Sequence, residues 1–137
     1  MDKVPVHTRF LVADDHPSFR HLLRVFLELH PNWEVCGEAS DGFEAIVRTA
    51  ELHPDIVLMD LDMPKLNGIE ATRKIHALSP STRILILTFH EFASLPRMAQ
   101  DSGAQGFVLK SEPFDVLTKA IETLGNSEGF FVSPSHE

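Results

Sequence analysis

The chain has 137 residues, 43% hydrophobic and 23% charged, which fits one soluble domain around a single core. A net charge of -8 and a pI near 5.4 argue against a surface that grips nucleic acid or an acidic membrane. No apolar run has spanning length, the start lacks a signal peptide, and the lone Cys36 excludes an internal disulfide and suits a reducing cytoplasm.

Residues 9–13 carry "FLVA", the unbroken apolar pattern of a strand covered on both faces, and run into Asp14 and Asp15. Pro17 falls where a first helical turn begins, followed by Phe19, Leu22, Leu23, Phe26 and Leu27 at helical spacing, with Pro31 beyond. Residues 33–39 read as a second strand, in which Cys36 is expected to be a buried, inert thiol. A reactive thiol is the alternative, but neither a helix start nor a basic cluster lies beside it. Phe43, Ile46, Val47 and Ala50 repeat the helical spacing before Pro54.

The third strand, 56–59, is "IVLM", and it breaks off into Asp60-Leu61-Asp62 with Met63-Pro64 behind. Pro64 stops the strand and stiffens the loop, and Asn67-Gly68 is a turn dipeptide in which Gly68 is expected to supply a positive φ. A fourth strand, 83–87, with "ILIL" at its centre, ends at Thr88. The helix after it, around 94–102, is the weakest element because Pro96 interrupts it. The fifth strand, 106–109, ends at Lys110. Pro113 opens a last helix lined by Leu117, Ala120, Ile121 and Leu124. Of the eight histidines, His7, His30, His53 and His136 read as surface residues, and no His or Cys cluster offers a zinc or copper site.

Alternating strands and helices with buried strands predict an α/β fold, a doubly wound parallel sheet between two helical layers. Ligands of such sheets bind outside the carboxyl ends of the strands. Those ends carry Asp14, Asp15, Asp60, Thr88 and Lys110. Three crowded carboxylates repel unless a cation joins them, and oxygen-only ligands favour a hard ion such as Mg2+. A cation, a carboxylate nucleophile, a lysine and a hydroxyl are the parts of a phosphoryl-transfer site.

In "LVADDH", "IVLMDLDMPKLNG", "ILILTFH" and "GAQGFVLK" the chain resembles a response-regulator receiver domain of the CheY-like superfamily. The resemblance implies a (βα)5 fold with a five-stranded parallel sheet in the flavodoxin-like order 2-1-3-4-5. It implies that Asp60 is phosphorylated by a histidine kinase or phosphotransfer protein. Mg2+ would be held by Asp14, Asp15, Asp60 and the main-chain carbonyl of Asp62. Lys110 would pair with the phosphate, while Thr88 and Phe107 would form the switch pair behind a phosphorylation-dependent homodimer.

Two positions depart from the family pattern. Phe89 stands where a small residue is common, and its ring would either lie across the path to Asp60 or fold back onto the fourth helix. Ser111, not proline, follows Lys110, leaving the cis or trans state of that bond open. The receiver is expected over residues 1–124. The tail 125–137, with "FFVSP", resembles the linker that precedes a LuxR/FixJ-type helix-turn-helix, so transcription regulation is the expected output of a longer protein. Two other readings remain at this level. One is a haloacid-dehalogenase-type phosphatase using the Asp60-x-Asp62 pair, and the other is a pseudo-receiver that binds partners without phosphorylation.

Overall fold

The computed structural model describes residues 7–131, so His136 and the end of the tail lie outside it. The elements in chain order are β1 (Thr8–Ala13), α1 (Pro17–Glu28), β2 (Trp33–Ala39), α2 (Gly42–Leu52) and β3 (Ile56–Asp60). They are followed by α3 (Gly68–Leu78), β4 (Arg83–Thr88), α4 (Leu95–Ser102), β5 (Gly106–Leu109) and α5 (Phe114–Gly125). All pairings are parallel and the strand order is β2-β1-β3-β4-β5. The expected α/β, doubly wound architecture is the observed one.

Side chains that alternate along the strands divide between two cores. Val57, Met59, Ile84 and Ile86 face Ala45 of α2, Ile69 and Ile75 of α3, and Leu95 and Ala99 of α4. Ile56, Leu58, Leu85 and Leu87 face Leu23 and Leu27 of α1, and Leu117, Ile121 and Leu124 of α5. Period-two alternation inside an unbroken apolar run is what fills both layers. Among the described residues no helix is long and apolar enough to cross a membrane.

Several local expectations change. Pro96 does not interrupt α4, because it occupies the first turn, where the missing N–H has no intrahelical partner to lose. In α2, Phe43 and Val47 are exposed, and the core-facing residues are Ala45 and Thr49. Close approach requires the glycine that opens the helix: a Cβ at Gly42 would fall 2.1 Å from Leu66 O. Gly68 has no positive φ. The left-handed residue of that loop is Lys65 (φ 67), while Asn67 caps α3 by accepting from Glu70 N at 2.9 Å.

Cys36 is half-buried and is the extra residue of a bulge in β2, where the pairing with β1 passes from Val35 to Gly37, and its Sγ donates to Phe10 O at 3.4 Å. Burial pushes its pKa up, which disfavours the thiolate. His30 is no simple surface residue, since its ring stacks on Trp33 with centroids 3.9 Å apart. No described peptide bond is cis, Lys110–Ser111 included.

The tail does not leave the fold after α5. Phe130 N donates to Gln105 O at 2.8 Å and Phe107 N donates to Phe130 O at 2.8 Å, forming a parallel bridge along the β5 edge. A Cβ at Gly106 would meet Phe130 O at 2.3 Å, so that approach requires the glycine.

Trp33 opens β2 at the amino edge and packs on Phe10 with ring centroids 5.3 Å apart. At about 3.3 Å per residue the strand carries it roughly 20 Å from the carboxyl edge. Mg2+ bound at that edge should leave Trp33 fluorescence essentially unchanged in a titration. Strong quenching would place the ion elsewhere.

Candidate functional site

β1 and β3 are neighbours although the helical crossovers run in opposite directions from them, so the sheet opens a crevice at their carboxyl ends. Asp14 and Asp15 leave β1 at this point and Asp60 is the last residue of β3. Asp60 is only 3% exposed, at the mouth of a core rather than in solvent. Gly68 makes this placement possible, because a Cβ there would lie 2.2 Å from Asp60 O. Only a glycine lets the start of α3 seat against the residue that ends β3.

Lys110, delivered by β5, has its Nζ 2.6 Å from Asp14 Oδ2 and 3.3 Å from Asp60 Oδ1. Its side chain is 1% exposed, so this is a buried ammonium between two buried carboxylates. Asp60 Oδ1 also accepts from Asp62 N at 3.3 Å, whereas Asp60 Oδ2 is buried without a hydrogen-bond partner. Burial and the neighbouring Asp14 charge raise the pKa of Asp60 to about 6, against the opposing pull of Lys110.

Ligand atoms of Asp14, Asp15, His16 and Asp60 lie within 4.8 Å of one another. Asp15 Oδ1, like Asp60 Oδ2, is buried and receives no hydrogen bond, although His16 Nδ1 stands 3.1 Å away. Two orphaned carboxylate oxygens in a group of three aspartates, with His16 as its one nitrogen donor, fit a hard divalent cation. Asp62 is exposed, its carboxylate 3.5 Å from His90 Nε2. Thr88 is fully buried, and its Oγ1 accepts from His90 N at 3.0 Å.

Phe89 takes neither a core position nor a place on α4. Its ring is 59% exposed and lies 6.3 Å from the Phe19 ring of α1. Lys110 Nζ is 4.6 Å from the Phe19 centroid and 5.2 Å from the Phe89 centroid, so the two rings roof the lysine. Phe107 is buried, 3% exposed, beside a hollow of ≈ 340 Å³ lined by Phe92, Leu95 and Pro96.

The structure therefore gathers Asp14, Asp15, Asp60 and Lys110 at one edge, with Thr88 at the end of β4 and Phe107 on the adjoining strand. Sequence reasoning missed His16, Phe19 and His90. The runs "DDHPSF" and "TFH" held the signal, since residues that closely follow a strand end lie at the same carboxyl edge of the sheet.

The response regulator receiver domain family matches residues 10–122. The transcriptional regulatory protein DegU of Brevibacillus brevis is 32% identical over 92% of this chain and 53% of its own length. LiaR of Bacillus subtilis is 38% identical over 88% of this chain and 57% of its own length. This chain thus spans little more than half of those relatives. A LuxR-family two-component response regulator from Aurantimonas sp. SI85-9A1 superposes with a TM-score of 0.89 at 39% identity, covering 94% of this chain and 91% of that one. The signal receiver domain of the NarL regulator from Mycobacterium tuberculosis gives 0.85 at 31% identity, over 90% of this chain and 100% of that one. With the family match running from β1 into α5 and relatives above 30% identity covering most of the chain, this chain belongs to the response regulator receiver domain family, whose members are signalling proteins of two-component systems.

Proposed function

We propose that Asp60 is the phosphoacceptor of this receiver and that a histidine kinase or a phosphotransfer protein is its cytoplasmic donor. The observation that carries this reading is Asp60 Oδ2, a buried carboxylate oxygen with no partner, set beside a buried lysine. Ionised, that oxygen attacks phosphorus. A P–O bond to Asp60 forms, the donor's P–N or P–O bond breaks, and the leaving group takes up a proton. Asp14, Asp15, Asp60 and the main-chain carbonyl of Asp62 are the proposed Mg2+ ligands. When bound, Mg2+ offsets the phosphoryl charge.

Lys110 passes from Asp14 and Asp60 to a phosphoryl oxygen as a point charge. Thr88 supplies a hydroxyl donor after giving up its contact with His90 N, and Phe107 adjusts against the hollow beside α4. The α4–β5–α5 face thereby changes and biases homodimerisation. In a longer protein the output is transcription, as in the relatives named transcriptional regulatory proteins. Family membership and the exposed, His90-paired Asp62 give the phosphatase reading no support.

Incubation with acetyl phosphate and Mg2+ should add one phosphoryl mass. Asp60→Asn, or EDTA in place of Mg2+, should abolish it. Label retained in that variant would move the acceptor elsewhere, and no label in wild type would leave a pseudo-receiver.

The aromatic roof sets a second expectation. With Phe89 over Lys110, attacking water reaches the phosphoryl group past an apolar edge. Phe89→Ala should shorten the phosphoryl half-life several-fold, about 1 kcal/mol of barrier, with Mg2+ affinity unchanged. An unaltered half-life would show that the ring does not restrict water.

A further inference from the structure

Two side chains outside the phosphoryl chemistry fix the peptide that joins Asp14 to Asp15. Asp14 N donates to Ala39 O at 2.9 Å, which ties it to β2. Its carbonyl accepts from Arg20 Nη1 at 2.6 Å, reaching across from the start of α1. Arg20 Nε donates at 2.9 Å to Glu38 Oε1, on the residue just before Ala39. Glu38 Oε2 accepts from Arg24 Nε at 2.9 Å, one turn further along α1. A closed frame results, running from Asp14 to Ala39, through Glu38 to Arg20, and back to Asp14.

The frame is shielded, with the Arg20 side chain 18% and that of Glu38 32% exposed. Burial acts to raise the Glu38 pKa, but the Arg20 and Arg24 guanidiniums outweigh it and hold the carboxyl below its usual range. The brace is therefore charged at neutral pH. Satisfying a carbonyl does not require an arginine, since water does it as well. What the guanidinium adds is a rigid fork that holds two acceptors at once and so resists rotation of the Asp14–Asp15 peptide plane.

That rotation matters because Asp15 Oδ1 is buried without a hydrogen bond, within the acidic group whose ligand atoms lie inside 4.8 Å. An open carboxylate stays aimed into the pocket only if its backbone is kept from turning away. We propose that Arg20, braced by Glu38, is a positioning residue that presets Asp14 and Asp15 for the divalent cation. The proposal rests on the reading of those carboxylates as Mg2+ ligands. Outer groups that orient metal ligands typically contribute about 10- to 100-fold in affinity.

Charge makes the sign of the test decisive. Removing a cation beside acidic ligands should, by Coulomb attraction alone, tighten Mg2+. Removing a brace should weaken it. Calorimetric titration of Mg2+ into wild type, Arg20→Ala, Arg20→Gln, Arg20→Lys and Glu38→Gln, each well below its melting temperature, separates the two. Arg20→Ala should bind about tenfold more weakly. Arg20→Lys and Arg20→Gln should recover part of the loss, and Glu38→Gln should fall between them and wild type.

In metal-free protein, Arg20→Ala should speed hydrogen exchange at the Asp14 and His16 amides and leave Leu58 and Ile121 unchanged. With acetyl phosphate, its half-saturating Mg2+ should rise while the rate at saturating Mg2+ stays within about twofold. Unchanged or tighter Mg2+ binding in Arg20→Ala overturns the proposal. So does a lower saturated rate at unchanged half-saturation, which would assign Arg20 to the chemistry or to general stability. If wild type binds Mg2+ but takes no phosphoryl group, the phosphoacceptor reading fails while the calorimetry still decides the role of Arg20. If wild type binds no Mg2+, both fail.

Discussion

Asp60→Asn should make the metal-free protein more stable at pH 8, by as much as about 3 kcal/mol, and leave it unchanged below about pH 4. The sign follows from the direction of the shift. Burial and the Asp14 charge raise the Asp60 pKa from 3.8 to about 6, so the folded state disfavours the ionised form. Stability from this group is fully present below the unfolded-state pKa and is lost as pH rises through the folded value. Above about pH 7 the whole difference is expressed. Asparagine keeps the shape and an oxygen for Lys110 but cannot ionise. Urea melts of both proteins between pH 4 and 8 measure the gap, and saturating Mg2+ should close it by stabilising only the ionised wild type. Equal stability at pH 8 without metal would mean that Lys110 already compensates the buried charge.

Lys110→Ala should act in the opposite direction, destabilising the metal-free protein at pH 8 by about 3 kcal/mol. Its Nζ is the one cation within hydrogen-bond or ion-pair distance of both Asp14 and Asp60 among the described residues, at 2.6 and 3.3 Å. Without it two buried carboxylates face each other with no cation between them, which disfavours ionisation of Asp60 still further. The loss should therefore shrink as pH falls towards 4 and as Mg2+ is added. Combining Lys110→Ala with Asp60→Asn should recover much of the stability, since one of the two opposed charges is then gone. A loss independent of pH and Mg2+ would point to packing of the lysine stem beneath Phe19 and Phe89 instead.

The strands were legible because unbroken runs such as "FLVA", "IVLM" and "ILIL" suit only elements covered on both faces. Their ends were legible because acids and a lysine cannot remain in such runs without a site to occupy. Helix faces were harder to read. In α2 the apolar spacing of Phe43 and Val47 points outward, while Gly42, Ala45 and Thr49 pack inward, so the small residues, not the large apolar ones, mark the buried face. In α4 the span from residue 94 was legible, but Pro96 reads as an interruption although it lies in the first turn after Ser94, where proline is tolerated. Gly68 was read as a φ requirement when the constraint was contact with Asp60, a long-range fact that no local pattern carries. Arg20 and Glu38 were invisible for the same reason: they lie 18 positions apart and meet only once β2 is laid beside β1.

The bridge between Phe130 and Gly106 bears on how this domain can be shortened. A protein cut after Gly125 would keep every helix of the sandwich but would bare the N–H of Phe107 and the carbonyl of Gln105 along β5. An uncovered parallel edge invites another chain to add a strand. Self-association of such a fragment, rising with concentration and indifferent to acetyl phosphate, would come from the cut and not from signalling. Oligomer measurements therefore need the tail kept at least through Phe131, whose ring continues the α4-side core.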